Sequence, residues 1–164
     1  MLQARKRAGK KSEKRVVDLV ESHVVVHDFS GHPFQVQLAR HLSSPHPSAP
    51  DGIRTTHVYC PSFLTPRGNV DDTGDSRFQS IGVALRKPFE KYSGPKRFLQ
   101  EIEYGWRLSR EMKRQDPDVI VSANTPLLAA LVFQIAMKLR RRPIVFWQQD
   151  VYSEAMSVHL SERF

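Results

Sequence analysis

The chain has 164 residues with 25 Lys and Arg against 17 Asp and Glu, a formal charge of +8, and a single cysteine. One core of this size can bury roughly two-thirds of the unfolded surface, so one domain is expected. A lone Cys60 excludes an internal disulfide scaffold and a thiolate zinc finger, and points to a reducing compartment.

Residues 1–15 hold seven basic side chains and one acid, so +6 of the +8 lies there, while residues 16–164 carry 18 basic and 16 acidic groups. With almost nothing apolar to bury, this tail is expected to be disordered in isolation. The tail reads first as a plain solvated extension; its clustered positive charge also allows an anionic membrane surface and, behind that, nucleic acid, although the tail has no aromatic residue to stack on bases.

His23 to His27 is a β-branched run ending in Asp28-Phe29-Ser30-Gly31, which predicts a buried strand entering a turn. Pro33 then suits a first helical position, and Phe34, Leu38 and Leu42 recur on one helical face. Ser43 to Gly52, rich in Pro and Ser, reads as a loop. A second strand is predicted over Thr55 to Cys60. Residues 61–96 form a long excursion with one short strand near Ile81–Leu85.

Pro95 to Gln115 predicts a helix with a stripe of Phe98, Leu99, Ile102, Trp106 and Met112. Val119-Ile120-Val121 predicts a third core strand opening into Ser122-Ala123-Asn124-Thr125. Pro126 starts a helix through Leu139, and Ile144 to Trp147 is a fourth core strand ending in Gln148-Gln149-Asp150. The longest apolar run, Leu127 to Phe133, is far short of the roughly 20 residues that span a bilayer.

Strands alternating with amphipathic helices predict a Rossmann-like parallel sheet covered on both faces. Ligands of such sheets bind beyond the carboxyl ends of the strands, where the strand order reverses. Asp28–His32, Ser122–Thr125 and Gln148–Asp150 are therefore expected on one rim. Gly31 lets backbone amides approach an anion at a helix N-terminus, or simply permits a tight turn. Neither GxGxxG nor GxxxxGK[ST] is present, which excludes a P-loop NTPase and disfavours a dinucleotide oxidoreductase.

His23, His27, Asp28 and His32 have no cysteine among them and lack metal-ligand spacing, so a polar strand end with His27 or His32 facing a cleft is the better reading than a metal site. Ser30 does not sit in G-x-S-x-G. Cys60 reads as a packed small side chain. Asp150 emerges from an apolar strand, where it serves as a base or hydroxyl binder, or equally caps whatever begins at Val151.

Four phrases occur in order: Val26 to Gln35 (VHDFSGHPFQ), His57 to Pro61 (HVYCP), Pro117 to Pro126 (PDVIVSANTP) and Phe146 to Tyr152 (FWQQDVY). Together they resemble the N-terminal domain of family 4 glycosyltransferases of the GT-B fold, especially bacterial enzymes of surface-polysaccharide synthesis. The resemblance covers residues 22–157. It implies retaining transfer of a sugar from a nucleotide-sugar to an acceptor hydroxyl, carbohydrate or lipid-linked, with no cofactor and no essential metal, in the cytoplasm or at the inner membrane face.

The same resemblance implies that Ser30, Gly31 and His32 face the interdomain cleft near the donor phosphates, and that Asn124, Thr125 and Asp150 line it. Ser43–Gly52 is longer than the family's turn at that point. The family's second domain, which binds most of the nucleotide-sugar and carries E-x7-E, is not found in these 164 residues. Alone, the chain is expected to be weakly active or inert. The alternative is a non-catalytic Rossmann-like binding module, or the partner of a separate donor-domain chain.

Overall fold

A computed structural model describes residues 22–64 and 75–147. Its elements are β1 (His23–Asp28), α1 (Pro33–Ser43), β2 (Arg54–Tyr59), β3 (Phe78–Gly82), α2 (Gly94–Gln115), β4 (Val119–Ala123), α3 (Leu127–Leu139) and β5 (Ile144–Trp147). The strands form one parallel sheet in the order β3-β2-β1-β4-β5. The chain is a Rossmann-like α/β domain.

Parallel neighbours need crossovers, and right-handed ones put helices on opposite faces when the direction of travel reverses. From β1 the chain moves outward to β2 through α1. From β3 it returns across the sheet to β4 through α2, then reaches β5 through α3. Accordingly α1 covers one face, where Val26, Ala39 and Phe78 are buried with Val24, Leu38, Leu42 and Val121 against them. On the other face α2 and α3 bury Tyr104, Leu108, Met112, Ala129, Phe133 and Met137 against Val25, Val58 and Ile120.

Strand periodicity explains this division, since alternate residues point to opposite faces. Val25 and His27 point toward α2 and α3, whereas Val24 and Val26 point toward α1. The strands are not uniformly apolar, however. β2 reads Arg-Thr-Thr-His-Val-Tyr and β3 reads Phe-Gln-Ser-Ile-Gly, and their polar members are matched in pairs such as His57 Nδ1 with Ser80 Oγ at 3.2 Å.

Three sequence expectations are corrected here. The short strand in the long excursion runs from Phe78 to Gly82 rather than near Ile81–Leu85, because pairing with β2 selects the segment that buries Phe78; residues 65–74 of that excursion lie outside the described residues. In α1 the buried stripe is Gln35, Val36, Ala39 and Ser43, and Phe34 is exposed. In α2 the helix is where the period placed it, but its buried face is Glu101, Tyr104, Gly105, Leu108, Ser109 and Met112. Of the predicted stripe only Met112 is buried; Phe98, Leu99, Ile102 and Trp106 face outward.

The small residues on α2 account for that choice. A Cβ on Gly105 would lie 2.7 Å from the Ala129 carbonyl oxygen and 2.9 Å from Val132 Cβ, so α2 and α3 touch through a position where no larger side chain fits. Glu101 secures the same contact: its Oε2 accepts the Leu128 amide hydrogen at 3.2 Å, and its Oε1 pairs with Arg97 at 2.6 Å. α3 begins at Pro126 with no capping side chain of its own, so a carboxylate from α2 satisfies one of its orphan amides.

Candidate functional site at the carboxyl rim

The reversal in strand order falls between β1 and β4, and sheets of this kind bind ligands beyond the carboxyl ends of the strands at that point. Asp28 pairs in register with Ala123, so the loops that follow, Phe29–His32 and Asn124–Pro126, run side by side. Two of the three segments expected on this rim are thus brought together. Gln148–Asp150, and with them Asp150 as a catalytic candidate, lie outside the described residues, as do residues 1–15 and 153–164.

Asp28 organises the first loop. It is fully buried at the end of β1, and its carboxylate accepts the Ser30 hydroxyl, at 3.1 Å to Oδ2, and the His32 backbone amide. Burial pushes the Asp28 carboxyl above its usual range, while the His32 and Ser30 hydrogen bonds hold it down in part. Gly31 follows with φ +73°, a left-handed conformation that lets the chain turn into α1. Sequence reasoning placed Asp28 at the strand end on the rim and weighed it as a metal candidate, but did not give it the bonding of the loop; an Asp at a strand end, followed by Ser and Gly, is also the signature of a side chain that bonds the backbone ahead of it.

His32 is the α1 N-cap residue, with its ring against Phe34 at 4.8 Å between centroids. Its Nδ1 is shielded and has no hydrogen-bond partner among the described residues. On the neighbouring loop Asn124 has φ +43°, again left-handed, which turns the chain sharply after β4. Thr125 is tied inward: its hydroxyl donates to the Ala123 carbonyl at 3.1 Å and lies 3.3 Å from Ser122 Oγ.

Of the two histidines expected as alternatives at the strand end, His27 or His32, His27 does not reach the rim. It is fully buried beneath the rim, with Nδ1 3.1 Å from Ser122 Oγ and Nε2 3.1 Å from the Tyr104 hydroxyl. Burial drives its pKa down to about 3, so the ring is neutral and structural. His23 sits at the other end of β1, where Nε2 meets Thr56 Oγ1 at 2.9 Å and Nδ1 meets the Gln115 carbonyl at 3.1 Å. Among the described residues no three His, Cys, Asp or Glu side chains converge on a metal position. Cys60 is fully buried in the larger core.

The rim therefore presents one left-handed glycine at a helix N-terminus and a second loop bent by Asn124, while His32 Nδ1, shielded and without a partner among the described residues, lies at the N-cap of that helix. Such an arrangement suits the binding of a polar, negatively charged group by amides and the helix dipole. Aromatic side chains Phe29, Phe63 and Phe89 pack together beside it, with Phe29 4.8 Å from Tyr104 between ring centroids, and give the loops a rigid base.

No protein-family model and no curated protein sequence matches the chain. Solved structures do. The chain is similar to the C-terminal domain of a hydrogenase from Pyrococcus furiosus at TM-score 0.50 and 9% identity, over 77% of this chain and 90% of that one. It is also similar to MurG of Acinetobacter baumannii (TM-score 0.48, 16% identity, 79% of this chain and 35% of that one) and to the precorrin-6A reductase CobK (TM-score 0.42, 10% identity, 81% and 41%). The hydrogenase domain supports the Rossmann-like fold and nothing narrower.

Proposed function

We propose that this chain is the acceptor-side half of a GT-B glycosyltransferase, which passes a sugar from a nucleotide-sugar to an acceptor hydroxyl in surface-polysaccharide or glycolipid synthesis. The observation that carries this reading is a coincidence of sequence and topology. Each of the four phrases that resemble family 4 enzymes reaches the carboxyl end of a strand: β1 with its loop into α1, β2, β4 with its loop into α3, and β5. An accidental resemblance would scatter over helices and lower loops as readily.

In this reading the loop Ser30-Gly31-His32 and the first turn of α1 stabilise negative charge on the departing nucleotide phosphate. His32 contacts substrate through its ring, Asn124 shapes the opposing lip, and Ser30 and Thr125 act mainly by holding their loops. Asp150 is the candidate carboxylate on the acceptor side. Catalysis needs a second wall that positions the donor and excludes water, supplied by a donor domain in the same or another chain.

Calorimetry with UDP- and GDP-sugars tests the division of labour. The chain alone is expected to bind them no more tightly than millimolar, since most donor contacts belong to the second domain. Micromolar binding would contradict an acceptor-side assignment.

A further inference from the structure

The second lip of the rim, Asn124–Pro126, hangs on a line of buried polar side chains that begins on α2. His27 and Ser122 are register partners on β1 and β4, so both side chains point toward the face that α2 and α3 cover. The His27 ring lies between Tyr104 and Phe133, at 5.9 and 6.0 Å between ring centroids, and its two nitrogens meet oxygens on opposite sides. Nε2 is 3.1 Å from the Tyr104 hydroxyl, and Nδ1 is 3.1 Å from Ser122 Oγ. Ser122 Oγ is 3.3 Å from Thr125 Oγ1, which in turn is 3.1 Å from the Ala123 carbonyl oxygen and 3.4 Å from His27 Nδ1.

The protons give this line a direction. The Ala123 carbonyl can only accept, so the Thr125 hydroxyl donates to it and has no proton left for Ser122. The Ser122 hydroxyl therefore donates to Thr125, and Ser122 accepts from His27 Nδ1, whose N–H also leans toward Thr125 Oγ1. Burial keeps the ring neutral, so it carries one proton; with that proton on Nδ1, the bare Nε2 accepts from the Tyr104 hydroxyl. The other tautomer would draw the Ser122 proton onto Nδ1 and leave two hydroxyl oxygens 3.3 Å apart with no hydrogen between them. The line thus runs from Tyr104 through His27, Ser122 and Thr125 to Ala123, each group donating to the next.

We propose that Tyr104 and His27 are positioning residues of the second lip: the Tyr104 hydroxyl sets His27 in its Nδ1-protonated form, which fixes Ser122 and Thr125 and with them the left-handed turn at Asn124. α2 grips the same lip a second time, where Glu101 Oε2 accepts the Leu128 amide hydrogen at 3.2 Å. Glu101 and Tyr104 are both buried, at i and i+3 on one face of α2, so the lip is tied to that helix at two points. Hydrogen bonds in series polarise one another and stiffen the segment on which they end. With its proton committed to Ala123, Thr125 serves a ligand at the rim by placing the lip and not by donating to it. The positioning is independent of glycosyl transfer, and only its effect on nucleotide affinity rests on that reading.

The test is a long-range proton–nitrogen-15 correlation of the histidine rings in the full chain, with His27 assigned by its loss in His27→Gln, alongside amide spectra of Tyr104→Phe. At neutral pH His27 is expected as the Nδ1–H tautomer. Tyr104→Phe keeps the ring but removes the donor to Nε2. It should mix the tautomers, shift the amides of Ser122, Asn124 and Thr125 while leaving Gly31 unmoved, and weaken UDP binding about threefold, the scale of one lost hydrogen bond. Met112→Val, on the same buried face of α2 but outside the line, should lower stability without changing the tautomer. A wild-type ring protonated on Nε2, or a Tyr104→Phe variant whose Asn124 and Thr125 amides stay in place, would overturn the proposal. A wild-type UDP titration that moves no rim amide would contradict the glycosyl-transfer reading instead, and the tautomer would still decide the positioning.

Discussion

His27 Nε2 lies 3.1 Å from the Tyr104 hydroxyl oxygen, and both side chains are fully buried. This contact ties β1 to α2 directly beneath the rim, and it holds only with a neutral imidazole at that depth. Burial lowers the pKa of His27 to about 3 and that of His57 to about 4, the latter helped by the Arg40 charge, and it lowers His23 as well. Unfolding returns each to the ordinary value near 6.5, so the unfolded chain binds more protons below that pH. Stability should be flat above about pH 6.5 and fall as pH drops toward 4. Asp28, whose carboxyl is raised by burial, works in the opposite sense, but one group faces three. Urea midpoints at pH 7 and pH 5 measure the slope, and His27→Gln, which keeps a hydrogen-bonding amide but cannot titrate, should flatten it.

Gln35, on the inner face of α1, is fully buried, and neither its amide nitrogen nor its amide oxygen meets a protein partner among the described residues. A buried amide without partners costs about 1–3 kcal/mol. Gln35→Met has nearly the same shape without that cost. It is expected to raise stability by about 1 kcal/mol in urea unfolding, and a loss of that size would mean that the amide is satisfied in solution.

Gly105 sets the separation of α2 and α3. Gly105→Val places atoms against the Ala129 carbonyl and Val132, so the helices must part and the cap from Glu101 to Leu128 must stretch. The expected loss is about 1–3 kcal/mol, typical of an overpacked interior. A thermal midpoint equal to the wild type would show that the contact is looser than this geometry.

Much of this architecture was legible because its signals are local. Short β-branched runs, Pro33 and Pro126 at helix starts, and Asp116-Pro117-Asp118 after α2 mark boundaries within a few residues of the observed ones. The rotation of the helices was not legible. In α2 the larger apolar residues Phe98, Ile102 and Trp106 form the more conspicuous stripe, whereas the core takes the stripe that contains Gly105 and Ser109, since only small residues let α3 approach. Pattern reports the period of a helix, but its phase depends on the neighbour it meets.

The same limit applies to the rim. The Gly31 turn and the Asn124 loop could be assigned to strand ends from sequence, and their adjacency follows from strand order, which a reversal in a Rossmann-like chain supplies. The inward commitment of Ser30 and Thr125, and the burial of His27, depend on contacts more than 70 residues apart in the case of His27 with Tyr104.

Gly31 should be intolerant of any side chain. At φ +73° an L-residue costs about 1–2 kcal/mol, and Gly31→Ala would either bear that cost or pull the His32 amide away from Asp28. Equilibrium unfolding is expected to show a loss in this range, with the sheet retained by circular dichroism. An unchanged stability would indicate that the loop has an alternative turn.

The most direct test of the acceptor-side assignment is a nitrogen-15 amide titration of the chain with UDP and GDP. The account predicts weak, millimolar binding with shifts centred on Gly31, His32, Asn124 and Thr125, lost in Gly31→Ala. Shifts confined to the outer face of α2, or none at the carboxyl rim, would contradict it.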